Sequence, residues 1–317
     1  MSEIDILSFG ETMAMFVAEQ TGDLAHVAQF HKRIAGADSN VAIGLARLGF
    51  KVGWISRVGA DSFGSYVRQT IEAEGVDTSQ VEVDPQRSTG FMLKSRSLDG
   101  SDPAIEYYRR NSAASQLGLA NLPPAYALRA RHLHATGIPP ALSEGCRALS
   151  HALMDAMRAA GRSISFDPNL RPSLWPEQSS MVREVNALAA KADWVLPGLE
   201  EGRLLTGQHT PADIAAFYLD QGVELVVIKL GDAGAYFRSA KGEGQVAPVP
   251  VSQVVDTVGA GDAFAVGVLS ALLDGHPVAE AVARGNWCGS RAVQSRGDME
   301  GLPLRHELQA HDLRRSA

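Results

Sequence analysis

The residues best suited to chemistry stand together in Asp256-Thr257-Val258-Gly259-Ala260-Gly261-Asp262-Ala263-Phe264. An apolar, strand-like run enters this segment at Val254, and a helical pattern leaves it through Phe264, Val268 and Leu272. Glycines let a backbone turn tightly and bring successive N–H groups close to a ligand. The amides of Gly259, Ala260 and Gly261, with the positive end of the helix dipole, therefore form an anion site. Asp262 falls in the first helical turn beside it. A carboxylate there would repel a bound phosphate if it served binding alone. It makes sense as the acceptor of a proton from an attacking hydroxyl, while the N–H groups stabilise charge on a moving phosphoryl group. The plainer reading is that Asp262 only caps the helix.

Three further segments carry polar groups where a ligand could meet them. Gly36-Ala37-Asp38-Ser39-Asn40 places a permissive glycine before Asp38 and Asn40, which read as hydroxyl-binding groups or as a helix N-cap. Tyr107 and Arg109 lie two apart in a strand-like run and so share a face. A phenol beside a guanidinium suits an acid sugar, because Arg grips a carboxylate with a fixed fork; a charged strand edge is the alternative. Arg171 follows Asp167-Pro168-Asn169-Leu170 as a second cation, or as a partner of Asp167 in a rigid turn.

Alternating elements must position these groups. Strand-like runs at 4–9, 52–58, 132–135, 163–166, 194–196 and 225–230 alternate with helical stretches at 40–48, 66–71, 143–160 and 260–273. Such alternation predicts a parallel sheet covered by helices on both faces, with ligands beyond the carboxyl ends of the strands. Residues 89–110 read instead as short strands broken by a hairpin signal at Asp99-Gly100. The expectation is one α/β domain over 1–317, with a small β lid from about 12–35 and 88–110. His132 and His134 are read as alternating across a strand rather than as zinc ligands.

Composition narrows the function classes. The chain has 317 residues, 21% charged, and a formal net charge of -7. No basic block is present, so neither nucleic acid nor a membrane surface is expected as partner. Cys146 and Cys288 form no CxxC or zinc spacing, which fits buried free thiols in a reducing compartment. No secretory signal is read at the N-terminus and no bilayer-spanning run is present, so a cytoplasmic protein is expected. A dinucleotide-binding oxidoreductase lacks its GxGxxG after the first strand, and no GxxxxGK[ST] P-loop exists.

The Asp256–Phe264 string resembles the C-terminal signature of the ribokinase-like (PfkB) carbohydrate kinases, and Gly36–Ala42 resembles their N-terminal signature, with Ala37 at the second glycine. The resemblance implies a Rossmann-like three-layer sandwich with a β lid, ATP with Mg2+ as donor, and a sugar-type acceptor. By it, Asp262 is the base, the amides of Gly259, Ala260 and Gly261 form the anion hole, and Gly36 and Asn40 touch the sugar. Lys229, Gly231 and Gly234 resemble the strand and turn near ATP, though an ordinary turn reads the same way; Asn286 falls on the helix placed near adenine, or is a surface polar group. Glu201 is retained near the metal, but Gly198 stands where the family carries Asn, which leaves the magnesium arrangement open. Activation by a monovalent cation such as K+ and a homodimer or higher oligomer through the lid fit the family. Tyr107, Arg109, Arg171 and Asp298, with Gly10-Glu11-Thr12-Met13 and Gly297–Pro303, are similar to the 2-keto-3-deoxygluconate kinases, which implies a small sugar acid, of gluco or galacto configuration, phosphorylated to its 6-phosphate. Fructokinase, ribokinase or another neutral sugar or nucleoside kinase is the alternative, and a non-catalytic sensor on the same fold is a third.

Overall fold

Apolar strands, most of them leading into helices, build a layered α/β structure in the computed structural model, which describes residues 4–96 and 103–316. In chain order the strands are β1 (Ile4–Phe9), β2 (Met13–Thr21), β3 (Phe30–Ala35), β4 (Val52–Gly59), β5 (Asp77–Asp84), β6 (Phe91–Arg96), β7 (Ile105–Tyr108), β8 (Ala130–Thr136), β9 (Ser163–Asp167), β10 (Trp194–Val195), β11 (Leu225–Lys229), β12 (Ala235–Ser239) and β13 (Gly242–Val246). The main sheet runs β13-β12-β11-β10-β9-β8-β1-β4-β5. It is parallel from β11 to β5 and antiparallel across β11, β12 and β13. The chain winds outward from β1 through β4 to β5, then returns to β8 and winds the other way. Such a reversal opens a crevice beyond the carboxyl ends of the strands. No helix among the described residues is long and apolar enough to cross a membrane.

A second sheet, β3-β2-β6-β7, departs directly after β1. Strand alternation gives it two faces. Met13, Met15, Ala35 and Met92 cluster on one. Phe16, Phe63 and Phe91 pack on the other, where Phe91 stacks on Tyr108 with ring centres 4.6 Å apart. The turn signal Asp99-Gly100 lies outside the described residues; the strands flanking it, β6 and β7, pair antiparallel.

His132 and His134 depart from expectation. Two residues apart, they point to one face of β8, and both are fully buried. Each hydrogen-bonds Ser165 Oγ on β9 at 2.8 Å. Burial pushes both imidazoles below their ordinary range, His134 to about 3. They are neutral hydrogen-bonding groups inside the sheet.

Helix Ala260–Leu273 is buried on almost every side, as an apolar pattern all round requires. It packs on helix Val278–Ala292 with almost no side chain between the backbones. A Cβ at Gly267 would stand 2.5 Å from the Arg284 carbonyl oxygen. Gly267→Ala must push the helices apart, and the expected cost is about 1–3 kcal/mol. A urea titration should show a lower midpoint with an unchanged slope.

Candidate active site

The helix Ala260–Leu273 begins at Gly259, whose φ is +82°. A Cβ there would lie 2.6 Å from the Asp298 carbonyl oxygen, so conformation and space both demand glycine. The first-turn amides have no intrahelical acceptor and leave a positive helix end facing the crevice. The run before it is not a strand. Val255 N–H donates to the Val293 carbonyl at 2.7 Å, so the segment is tied to the end of helix Val278–Ala292 and not to the sheet.

Asp262 is held at both oxygens. Asn40 Nδ2 donates to Oδ2 at 2.8 Å and Asn169 Nδ2 to Oδ1 at 3.2 Å. Burial raises its pKa above the ordinary carboxylate value, opposed by the Asn40 hydrogen bond and by the charges of Lys229 and Arg171. Two amide donors fix the carboxylate's orientation and leave lone pairs able to take a proton.

Two cavities meet at this helix end. One, of about 430 Å³, is the more polar of the two and is lined by Gly36, Asn40, Asp262 and Arg171 among others. The other, of about 550 Å³, is largely apolar, with Val249, Val251 and Phe264 facing Gly231, Gly234 and Asn286. Lys229, Thr257 and Gly261 border both. An anion hole between a polar and an apolar cavity suits two ligands that exchange a charged group.

The cations at the site differ in how they are compensated. Lys229 Nζ lies 2.7 Å from Asp167 Oδ2 and 3.7 Å from where a Cβ of Gly261 would stand. Burial would lower its pKa, but the carboxylates of Asp167 and Glu201 prevail and raise it, so the ammonium stays charged. Asp167 itself is pushed by burial to about 6. Asp167 therefore pairs with Lys229 and not with Arg171. Arg171 Nη1 donates only to the carbonyls of Asn169 and Leu170, at 3.2 and 2.9 Å, and no carboxylate among the described residues forms an ion pair with it. Arg109, in contrast, is buried and its Nε donates to Glu11 Oε2 at 2.7 Å. Its guanidinium sits 6.0 Å from the ring centre of Tyr107, and both line the polar cavity.

Other expected groups fall as follows. Asp38 is fully buried, accepts from Thr136 Oγ1 at 2.9 Å, and is absent from the cavity wall. Burial pushes its carboxyl to about 7. Asp298 reaches the polar cavity and receives Lys94 Nζ at 3.2 Å. Asn286 Nδ2 donates to the carbonyls of Val246 and Ala247, at 3.2 and 2.9 Å, which pins the exit of β13 beside the apolar cavity. Gly231 and Gly234 take φ of +62° and +86° in the turn after β11. Glu201 Oε1 accepts the Leu170 N–H and Oε2 the Gly198 N–H, each at 2.7 Å. Gly198 is the N-cap of helix Leu199–Thr206, and Glu201, the third residue of that helix, folds back onto the Gly198 N–H as the Glu of a capping box does. Glu11, Asn169 and Lys94 are site residues that the sequence did not single out individually; Glu11 and Asn169 stood inside quoted motifs, and Lys94 carried no signal.

Gly259→Ala should lower kcat by about 10²-fold, the scale of one lost anion-hole donor. Steady-state kinetics with the acceptor saturating would read it, and the acceptor KM should move little.

The family model described as pfkB family carbohydrate kinase matches residues 3–305. The chain is 52% identical over 307 residues to the 2-dehydro-3-deoxygluconokinase of Bacillus subtilis (strain 168), a match covering 96% of this chain and 94% of that protein. It is similar to a PfkB protein from Polaromonas sp. JS666 with a TM-score of 0.90 and 54% identity, covering 97% of this chain and 99% of that one. It is also similar to a putative ribokinase II from E. coli solved in complex with ATP and Mg2+, with a TM-score of 0.90 and 27% identity, covering 98% and 99%.

Proposed function

The chain belongs to the pfkB family of carbohydrate kinases, and from that premise we propose that it transfers the γ-phosphoryl group of ATP to 2-keto-3-deoxygluconate, giving the 6-phosphate. The observation that carries this reading is the placement of Asp262, anchored at both oxygens beside a helix N-terminus between a polar and an apolar cavity. Asp262 accepts the proton of the attacking hydroxyl. The amides of Gly259, Ala260 and Gly261, with the ammonium of Lys229, hold the charge that develops on the phosphoryl oxygens. Arg171, which forms no ion pair with a carboxylate among the described residues, takes the carboxylate of the sugar acid, with Tyr107 on the same wall of the cavity. Arg109 braces that wall through Glu11. Asn40 and Asn169 aim the base. Gly231, Gly234 and Asn286 shape the nucleotide side.

Among the described residues no three His, Cys, Asp or Glu side chains converge as a metal cage. Magnesium suits this donor set, because it keeps several waters and needs one or two carboxylates besides nucleotide phosphates. Glu201 fits: each of its oxygens accepts one backbone N–H and keeps a lone pair for such a water. When bound with the nucleotide, the ion would neutralise phosphate charge. The protein is expected in the cytoplasm as a homodimer through the aromatic face of the lid, where Tyr108 is 49% exposed; sedimentation at micromolar concentration separates dimer from monomer.

The direct test is product identity. Incubation with ATP, Mg2+ and 2-keto-3-deoxygluconate should yield ADP and one phosphomonoester at the terminal carbon by 31P NMR. Formation of ADP without a sugar ester, or no ADP at all, would overturn the proposal.

A further inference from the structure

Lys94 lies on β6, between β2 and β7 in a small lid sheet, where a lysine would ordinarily keep its ammonium in water. Its side chain is 1% exposed, and its ammonium stands 2.6 Å from Asp256 Oδ2 and 3.2 Å from Asp298 Oδ1. Asp256 opens the turn that makes the anion hole, and Asp298, beyond helix Val278–Ala292, packs against that turn. The other oxygen of Asp256 accepts the Val258 N–H at 3.1 Å, immediately before Gly259. The backbone of Asp298 packs where a side chain on Gly259 would be. Without the ammonium, Asp256 and Asp298 would face each other as buried like charges, with Asp262 close enough to add to the repulsion. The turn would then have to spread, or a carboxyl would have to take up a proton.

We propose that Lys94 is a built-in monovalent cation. Its ammonium, supplied by the lid, binds the two carboxylates together and so fixes the Gly259 turn. Lys94 is a positioning residue that acts through Asp256 and Asp298 and touches neither substrate. A third cavity, of about 470 Å³, is lined by both Lys94 and Asp256. Removing the side chain would therefore connect the carboxylate pair to space that a small cation can enter. The kinetic readout rests on the phosphoryl-transfer reading; the binding readout does not.

The test is chemical rescue of Lys94→Ala. In buffer containing choline as the only cation besides magnesium, kcat should fall about 10²-fold, the scale of a disturbed anion hole. Ammonium or methylammonium at about 100 mM should restore kcat at least tenfold, whereas tetramethylammonium, too large for the gap, should not, and the wild type should respond to none of them. Should the variant fold too poorly for kinetics, its melting temperature gives the same answer. Methylammonium should raise it by mass action in Lys94→Ala but not in the wild type. Wild-type turnover by Lys94→Ala in choline, or identical responses to methylammonium and tetramethylammonium in both measurements, would overturn the proposal. A wild type without kinase activity would sink the kinase reading alone, because the melting test still decides the cation.

Discussion

Asp262→Asn should reduce kcat by about 10³–10⁴-fold, the worth of a positioned general base. Asparagine has almost the same shape, and the cap position itself belongs to Gly259, so the helix start is kept. If Asp262 served only to complement the positive end of helix Ala260–Leu273, the variant would lose a few tenths to about 1 kcal/mol of stability and turn over nearly as the wild type does. If Asp262 takes the hydroxyl proton, nothing replaces it, because neither Asn40 nor Asn169 can accept one through its donor nitrogen. The two cavities keep their walls, so ATP affinity measured by calorimetry should stay within a few-fold. The pH profile adds an independent mark. Only the ionised carboxyl accepts a proton, and burial holds Asp262 above the ordinary carboxylate range. Wild-type activity should therefore fall on acidification at a higher pH than a free carboxylate would give, and the variant's residual activity should lack that limb.

The second large effect is expected at Arg171, and it separates two arginines that look equivalent in sequence. Arg171→Ala should lower kcat/KM for the sugar acid by about 10²-fold, because it leaves the substrate carboxylate without its charged partner. Most of the loss should appear in KM, and turnover of fructose or ribose should be unaffected. Arg109→Ala should behave differently. It strands Glu11, whose partner it is, in a buried site, and breaking a buried pair costs about 3–5 kcal/mol of stability. Guanidinium titration should therefore show Arg109→Ala strongly destabilised and Arg171→Ala near wild type. If the two variants lost stability and sugar-acid specificity in equal measure, the assignment of the carboxylate to Arg171 would be wrong.

The difference between these arginines also shows where sequence reasoning stops. The Gly259–Asp262 turn is legible because local features coincide there: two glycines, a carboxylate, and an apolar helical pattern that reaches Leu272. The strand ends carrying Asp167, Pro197 and Lys229 are legible for the same reason. Pairing across long separations leaves no local trace. Arg109 and Glu11 are 98 positions apart, Lys94 and Asp298 are 204, and Asn40 and Asp262 are 222. The partners of Arg109 and Asp38 are unreadable on that account: Arg109 is tied to Glu11 while still lining the polar cavity, and Asp38 is turned away from the cavity toward Thr136. Asn169 aims at Asp262 through a φ of +40°, a conformation its neighbours do not announce. β13 reads Gly-Glu-Gly-Gln-Val and carries no strand pattern; it forms because β12 offers an open edge. The strand expected at Val254 is an irregular run, because an apolar stretch can as well be tied down by a helix end as by a sheet.

The measurement that bears most directly on substrate and chemistry together is a coupled ADP-release assay over a panel of acceptors: both epimeric 2-keto-3-deoxy sugar acids, fructose, ribose and a nucleoside, each with ATP and Mg2+. The expected result is a kcat/KM for at least one keto-deoxy acid that exceeds every neutral acceptor by about 10²-fold, the discrimination a charged partner for the substrate carboxylate supplies. Faster turnover of fructose, ribose or the nucleoside than of either acid would contradict it.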